Sequence, residues 1–123
     1  MAVYDNRYIR GVELFNKHRF YECHDILEEL WIETNDDSKK FYQGLIQASV
    51  ALHHFSRNNY IGAKKLFYSS LTLLEEYPSV YNGLDLVDFT AKIRVCFSEL
   101  IDSADKIDNI TLNKNLIPVI KVT

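Results

Sequence analysis

Helix breakers are scarce in this sequence. Two prolines and four glycines in 123 residues leave long stretches free to keep a helical period, which points to an all-α domain. Cysteine is almost absent as well. Cys23 and Cys96 are far apart and make no Cys-x-x-Cys unit; both sit in apolar stretches and read as buried, reduced thiols of an intracellular protein. No apolar run approaches the ~18 residues of a membrane span. The start, MAVYDNRYIRG, has neither the apolar core of a secretory signal nor the Arg/Ser-rich character of a transit peptide. No basic run stands out, and a net charge of −3 with a pI near 5.8 gives no electrostatic footprint for nucleic acid. The partners expected are therefore a small molecule or a protein, with neither nucleic acid nor a membrane among them; homo-oligomerisation is left open. The expected location is the cytoplasm, or the plastid stroma if the gene is organelle-encoded.

What is present is enough for one core. With 47% apolar and 13% aromatic residues, a chain of this length buries a single core without staples. The periodicity predicts helices over about Arg7–Lys17, Phe20–Thr34, Lys39–Arg57, Tyr60–Tyr77 and Leu86–Ala104. Asn59 and Asp85 are the expected N-caps of the last two, Pro78 stops the fourth helix, and YNGLD reads as a turn. Short connections make successive helices antiparallel neighbours, so residues 1–104 are expected to form a compact single-domain bundle. Residues 105–123 then make a short irregular C-terminal tail with no determined structure. Ala63, Phe67 and Pro78 resemble the second helix of a tetratricopeptide unit, but without a second copy they read as part of an ordinary helical hairpin.

The stretch FYECHDILEELW, residues 20–31, carries the most chemical information. At ~100° per residue, Glu22, Asp25, Glu29 and Glu33 gather in an arc of only ~80°, a solvent face. Phe20, Tyr21, Cys23, Ile26, Leu27, Leu30, Trp31 and Ile32 fill the wide remaining arc, and His24 and Glu28 fall inside it. Four acidic residues of this helix thus have a solvated explanation that Glu28 does not share. At i, i+4 the imidazole and carboxylate can meet, either as an oriented pair or as two ligands of one metal.

The third helix, FYQGLIQASVALHHF, is apolar on nearly every side and is expected to be central. Phe41, Leu45, Ala48, Leu52 and Phe55 form one face, with Gly44 and Ala51 at its edge permitting close backbone approach. Gln43, Ile46, Val50, His53 and Arg57 form a second stripe suited to face the second helix, while Gln47 and His54 lie beside that stripe and rank lower. The expectation is a buried polar cluster of His24, Glu28, Gln43 and His53 between helices two and three, with Tyr21 and Trp31 read as core aromatics or as walls of a ligand site.

The pattern Tyr21-x-x-His24-Asp25-x-Leu27-Glu28-x-x-Trp31, followed by Gln43-Gly44, Ala51-x-His53 and Gly83-Leu84-Asp85, resembles the family called domain of unknown function 309. The resemblance covers about residues 8 to 102. It implies an all-helical, single-domain fold and makes Tyr21, His24, Glu28, Trp31, Gln43, Gly44, His53 and Asp85 the signature positions. Asp25 stands where many members have Glu. It implies no established activity, and whether the chain is an enzyme stays open. Two function classes remain. One is a small binding or interaction module built around the His/Glu/Gln cluster. The other is a metal-assisted or acid–base hydrolase, in which Glu28 orients or ligates while His24 and His53 ligate or move protons. Zn or Fe is the divalent metal such a donor set would suit, with His24, Glu28 and His53 as its ligands.

Overall fold

A computed structural model describes residues 3–103 and 110–123, and among them are five α-helices, one small hairpin and a short 3-10 helix, Lys114–Leu116. The helices are α1 (Asn6–Asn16), α2 (Phe20–Glu33), α3 (Ser38–Ser56), α4 (Tyr60–Leu74) and α5 (Leu86–Asp102); β1 (Val80–Tyr81) and β2 (Leu84–Asp85) precede α5. Local chemistry explains most of the boundaries. Asp5 accepts a hydrogen bond from the Arg7 amide at 2.8 Å, Asn59 from Gly62 at 3.2 Å and Asp85 from Asp88 at 3.0 Å, so each caps the helix that follows it. The helices α1 and α3 end alike: His18 (φ 60°) and Asn58 (φ 61°) turn left-handed, and the next amides reach back to Leu14 O at 2.9 Å and His54 O at 2.8 Å.

Two boundaries differ from the sequence expectation, and a third falls outside the described residues. Helix α4 ends at Leu74, short of Tyr77, because the residues before Pro78 leave helical geometry. YNGLD is more than a turn: it closes the antiparallel β1–β2 hairpin through Asn82 (φ 48°) and Gly83 (φ 73°), the two left-handed residues of a tight two-residue loop. The expected end of the last helix at Ala104, and with it the 104/105 boundary, lies outside the described residues.

Helix α3 is the structural axis. It packs against α2 on one side and most extensively against α4 on another, while α1 covers α2. Phe41, Leu45, Ala48, Ala51, Leu52 and Phe55 are all buried, as the sequence pattern requires. Gly44 is the point of closest approach to α4: a Cβ there would lie 2.6 Å from Leu74 Cδ2, and its carbonyl accepts a 2.8 Å hydrogen bond from Ser70 Oγ. Phe97 of α5 closes the other end of the core, with ring centroids 5.2 Å from Phe55 and 4.6 Å from Phe67. Cys23 and Cys96 are buried free thiols, and burial pushes both up to about 12, out of the reactive range. Among the described residues, no helix is long and apolar enough to cross a membrane.

The C-terminal segment is better ordered than the sequence suggests. Ile110, Leu112, Ile117 and Ile120 are buried against the helices. Asn16 clamps the backbone of Ile120 through both ends of its amide: Nδ2 donates to Ile120 O at 2.9 Å, and Oδ1 accepts from Ile120 N at 2.8 Å. Tyr60 donates to Ile110 O at 2.6 Å, Tyr4 donates to Thr123 O at 2.8 Å, and Val122 bridges to Leu84. Thr123 N also donates to Gly83 O at 3.0 Å, and partners so distant in sequence (Asn16, Tyr60, Gly83) leave no trace in local periodicity.

Two substitutions test this packing. Asn16→Ala removes both bonds to Ile120 and should cost about 1–3 kcal/mol of stability in urea unfolding; an unchanged midpoint would mean the clamp is not holding the segment. Gly44→Ala sets a helix-propensity gain of about 1 kcal/mol against overpacking of about 1–3 kcal/mol at a side chain, Leu74, that has no room to move. The expected net result is a loss, and a more stable variant would show that α4 can retreat.

Candidate functional site

Helix α2 buries a narrower face than its composition suggests. Only Phe20, Cys23, Leu27 and Leu30 are fully buried, because its neighbours α1 and α3 cover just one arc of it. Glu22, Asp25, Glu29 and Glu33 are exposed, as expected. Tyr21 and Ile32 are not in the core: they are 58% and 62% exposed, which corrects the wide inward arc drawn from the sequence. Trp31 is half-buried and carries a cation, with Lys39 Nζ 4.3 Å from its ring centroid and donating to its carbonyl at 2.7 Å.

His24 and Glu28 do meet. His24 Nε2 lies 2.8 Å from Glu28 Oε2, and Nδ1 lies 3.3 Å from Asp25 Oδ1, so two carboxylates flank the ring. The pair is not sealed in the core, however. The His24 side chain is 24% exposed and that of Glu28 45% exposed, so the expected buried cluster is instead one wall of an open groove. The physical reason is again the arc: no third helix covers the seam between α2 and α3 at this point.

That groove, about 230 Å³, is lined by His24, Glu28 and Trp31 of α2 and by Gln43, Ile46 and Gln47 of α3. Gln47, ranked low from the sequence, belongs to it; its signal was its place one turn after Gln43. His53, ranked high, is not in the lining. Its ring instead faces Tyr21 at a centroid distance of 5.5 Å, and Tyr21 in turn faces His24 at 5.6 Å. Desolvation holds the His53 pKa below its ordinary value, helped by the charges of Arg57, His54 and His24. His54 is occupied elsewhere, contacting the Asn59 side chain at 3.1 Å. Of the remaining signature positions, Gly44 serves the α3–α4 contact and Asp85 caps α5.

A three-donor metal centre of His24, Glu28 and His53 is not formed: among the described residues, no group of three His, Cys, Asp or Glu side chains is disposed to hold a metal ion. The groove does concentrate something else. Among the described residues, three buried side-chain polar atoms have no hydrogen-bond partner, namely His24 Nδ1, Trp31 Nε1 and Gln47 Oε1, and all three belong to side chains that line this one groove. Four larger depressions, of about 890, 450, 410 and 300 Å³, are lined by none of these residues.

Comparison with known proteins supports the family resemblance over residues 8–66, short of the Gly83-Leu84-Asp85 part of the motif. The family described as Domain of unknown function (DUF309) matches residues 8–66. The uncharacterized protein YpuF of Bacillus subtilis (strain 168) is 40% identical over 87 residues, covering 68% of this chain and 50% of that protein. An uncharacterized protein of Aquifex aeolicus (strain VF5) is 35% identical over 78 residues, covering 63% of this chain and 23% of that protein. The chain thus spans about half the length of the first relative and about a quarter of the second, and neither name states an activity. Residues 8–66, which include every residue lining the groove, belong to the DUF309 family.

Proposed function

We propose that the α2–α3 groove receives one side chain of a partner, which makes the chain a small interaction module. The observation that carries this reading is the coincidence, in a single open groove, of the unpartnered atoms Trp31 Nε1 and Gln47 Oε1 with His24 Nδ1, which has only the ion-pair contact with Asp25 at 3.3 Å and no hydrogen bond. Such an atom costs about 1–3 kcal/mol when buried without a partner. An occupant that brings an acceptor to Trp31 Nε1–H and a donor to Gln47 Oε1 recovers part of that cost, so the groove is matched to a polar guest. Size favours a side chain over a metabolite: about 230 Å³ falls below the roughly 300–1,000 Å³ of small-molecule pockets. Tyr21 and Ile32, exposed along the same helix, supply apolar contact area for the rest of the partner.

A hydrolase working through His24, Glu28 and His53 draws on one specific feature, the 2.8 Å His24–Glu28 contact, which suits acid–base chemistry. It also needs His53 beside the same bound substrate, whereas His53 is outside the groove lining and turned to Tyr21. The binding reading needs no such rearrangement.

The substitution Gln47→Met tests it, replacing the amide with an apolar chain of the same length. If Oε1 is kept unpartnered for a guest, the variant should be as stable as the parent or more stable by about 1–2 kcal/mol. A loss of more than about 1 kcal/mol in urea unfolding would make Gln47 a packing residue and remove the main support for the groove.

A further inference from the structure

We infer that the side chain taken by the groove is cationic, a guanidinium on a partner peptide; this rests on the groove being a binding site at all. The donor and acceptor inventory leads to it. Trp31 Nε1–H is a pure donor, but Gln47 Oε1 is an unpartnered acceptor, Gln43 adds an amide oxygen, and Glu28 offers a carboxylate with a second oxygen beyond the one beside His24. The glutamines carry amide N–H donors as well, so the lining is mixed, and the acceptor-only group that selects a donating guest is the Glu28 carboxylate.

Charge points the same way. Glu28 stands on the wall, and Asp25 and Glu29 are its neighbours on the exposed side of α2. Against these three carboxylates the nearby cation is Lys39, whose ammonium is engaged by the Trp31 carbonyl at 2.7 Å and the Trp31 ring at 4.3 Å. Lys39 lines a separate depression with Asp36, Asp37 and Glu76, so among the described residues no lysine or arginine side chain lines the groove itself. An anionic guest would meet like charge at Glu28, which is costly at a partly desolvated contact. A neutral amide would satisfy Trp31 and Gln47 but leave the carboxylate unanswered. A guanidinium presents five donors in a planar fork, enough to reach Glu28 and the glutamine oxygens together while its stem lies along Ile46.

The test uses Trp31 as reporter, since it is the single tryptophan of the sequence and its indole N–H gives one amide-type NMR signal. Isotope-labelled full-length protein is titrated with N-acetyl-arginine methylamide and, separately, with the citrulline analogue, which has the same shape without the charge. The expected result is a shift of the Trp31 indole signal with the arginine probe at roughly tenfold lower concentration than with citrulline, weakened by added salt. Glu28→Gln should narrow that preference. Should that variant fail to fold, the two probes on the unaltered protein still decide the matter. Equal responses to both probes would overturn the cationic assignment and leave the groove reading standing. A Trp31 signal unmoved by either probe at its solubility limit would overturn both.

Discussion

The constraint on which this structure depends is the need to cover α3. A helix that is apolar on most sides has to be surrounded on most sides, and α2 and α4, with Tyr8 of α1 and Phe97 of α5, are arranged to do so. Phe41 packs with Tyr77 and Tyr81 at one end, and Phe55 packs with Phe97 at the other, so the axis is anchored at both ends by aromatic contacts. Coverage is incomplete at the seam where Gln43, Ile46 and Gln47 border α2. The groove is the consequence of a central helix with one neighbour too few on that side.

That geometry sets the chemistry available. A seam left open to solvent tolerates His24 and Glu28, which would be costly if enclosed, because water can reach the exposed part of each side chain. It does not account for the atoms just inside the seam. Trp31 Nε1 and Gln47 Oε1 are withdrawn from water yet unpaired within the chain. Natural folds pair nearly all such groups, so a cluster of exceptions at one place is more informative than the same number scattered over the molecule.

Much of this was legible in the sequence, and the failures have a common cause. The periods of α1 to α5, the caps at Asn59 and Asp85, the close approach at Gly44 and the pairing of His24 with Glu28 are all local properties, separated by a few residues, and local patterns report them. Tyr21 and Ile32 were assigned inward because a helical wheel states which residues share a face but not how wide a face the neighbours cover. His53 stands in the stripe and Gln47 beside it, yet Gln47 lines the groove with His24 and His53 does not, because the placement of α2, which a wheel does not give, decides which part of the stripe borders the groove. The tail was opaque because its partners are Asn16, Tyr60 and Gly83, distant residues with no periodic signature. The Asn-Gly pair of the hairpin is the exception, a local signal present in the sequence and read too cautiously.

The division between matched and unmatched sequence acquires a physical meaning from this arrangement. Residues 8–66 hold α1 through α3 and the start of α4, and with them both walls of the groove. They do not hold Leu74, Phe89 or Phe97, which cover the opposite side of α3 and the end of α1. Stripped to the matched segment, α3 would expose Phe55 and Leu52, and burial of large apolar side chains at about 1.5–3 kcal/mol each would be lost. Groove and scaffold are therefore separable in sequence but not in energy. The segment that carries the candidate chemistry depends on what packs behind α3, and in this chain α4 and Phe97 of α5 do that.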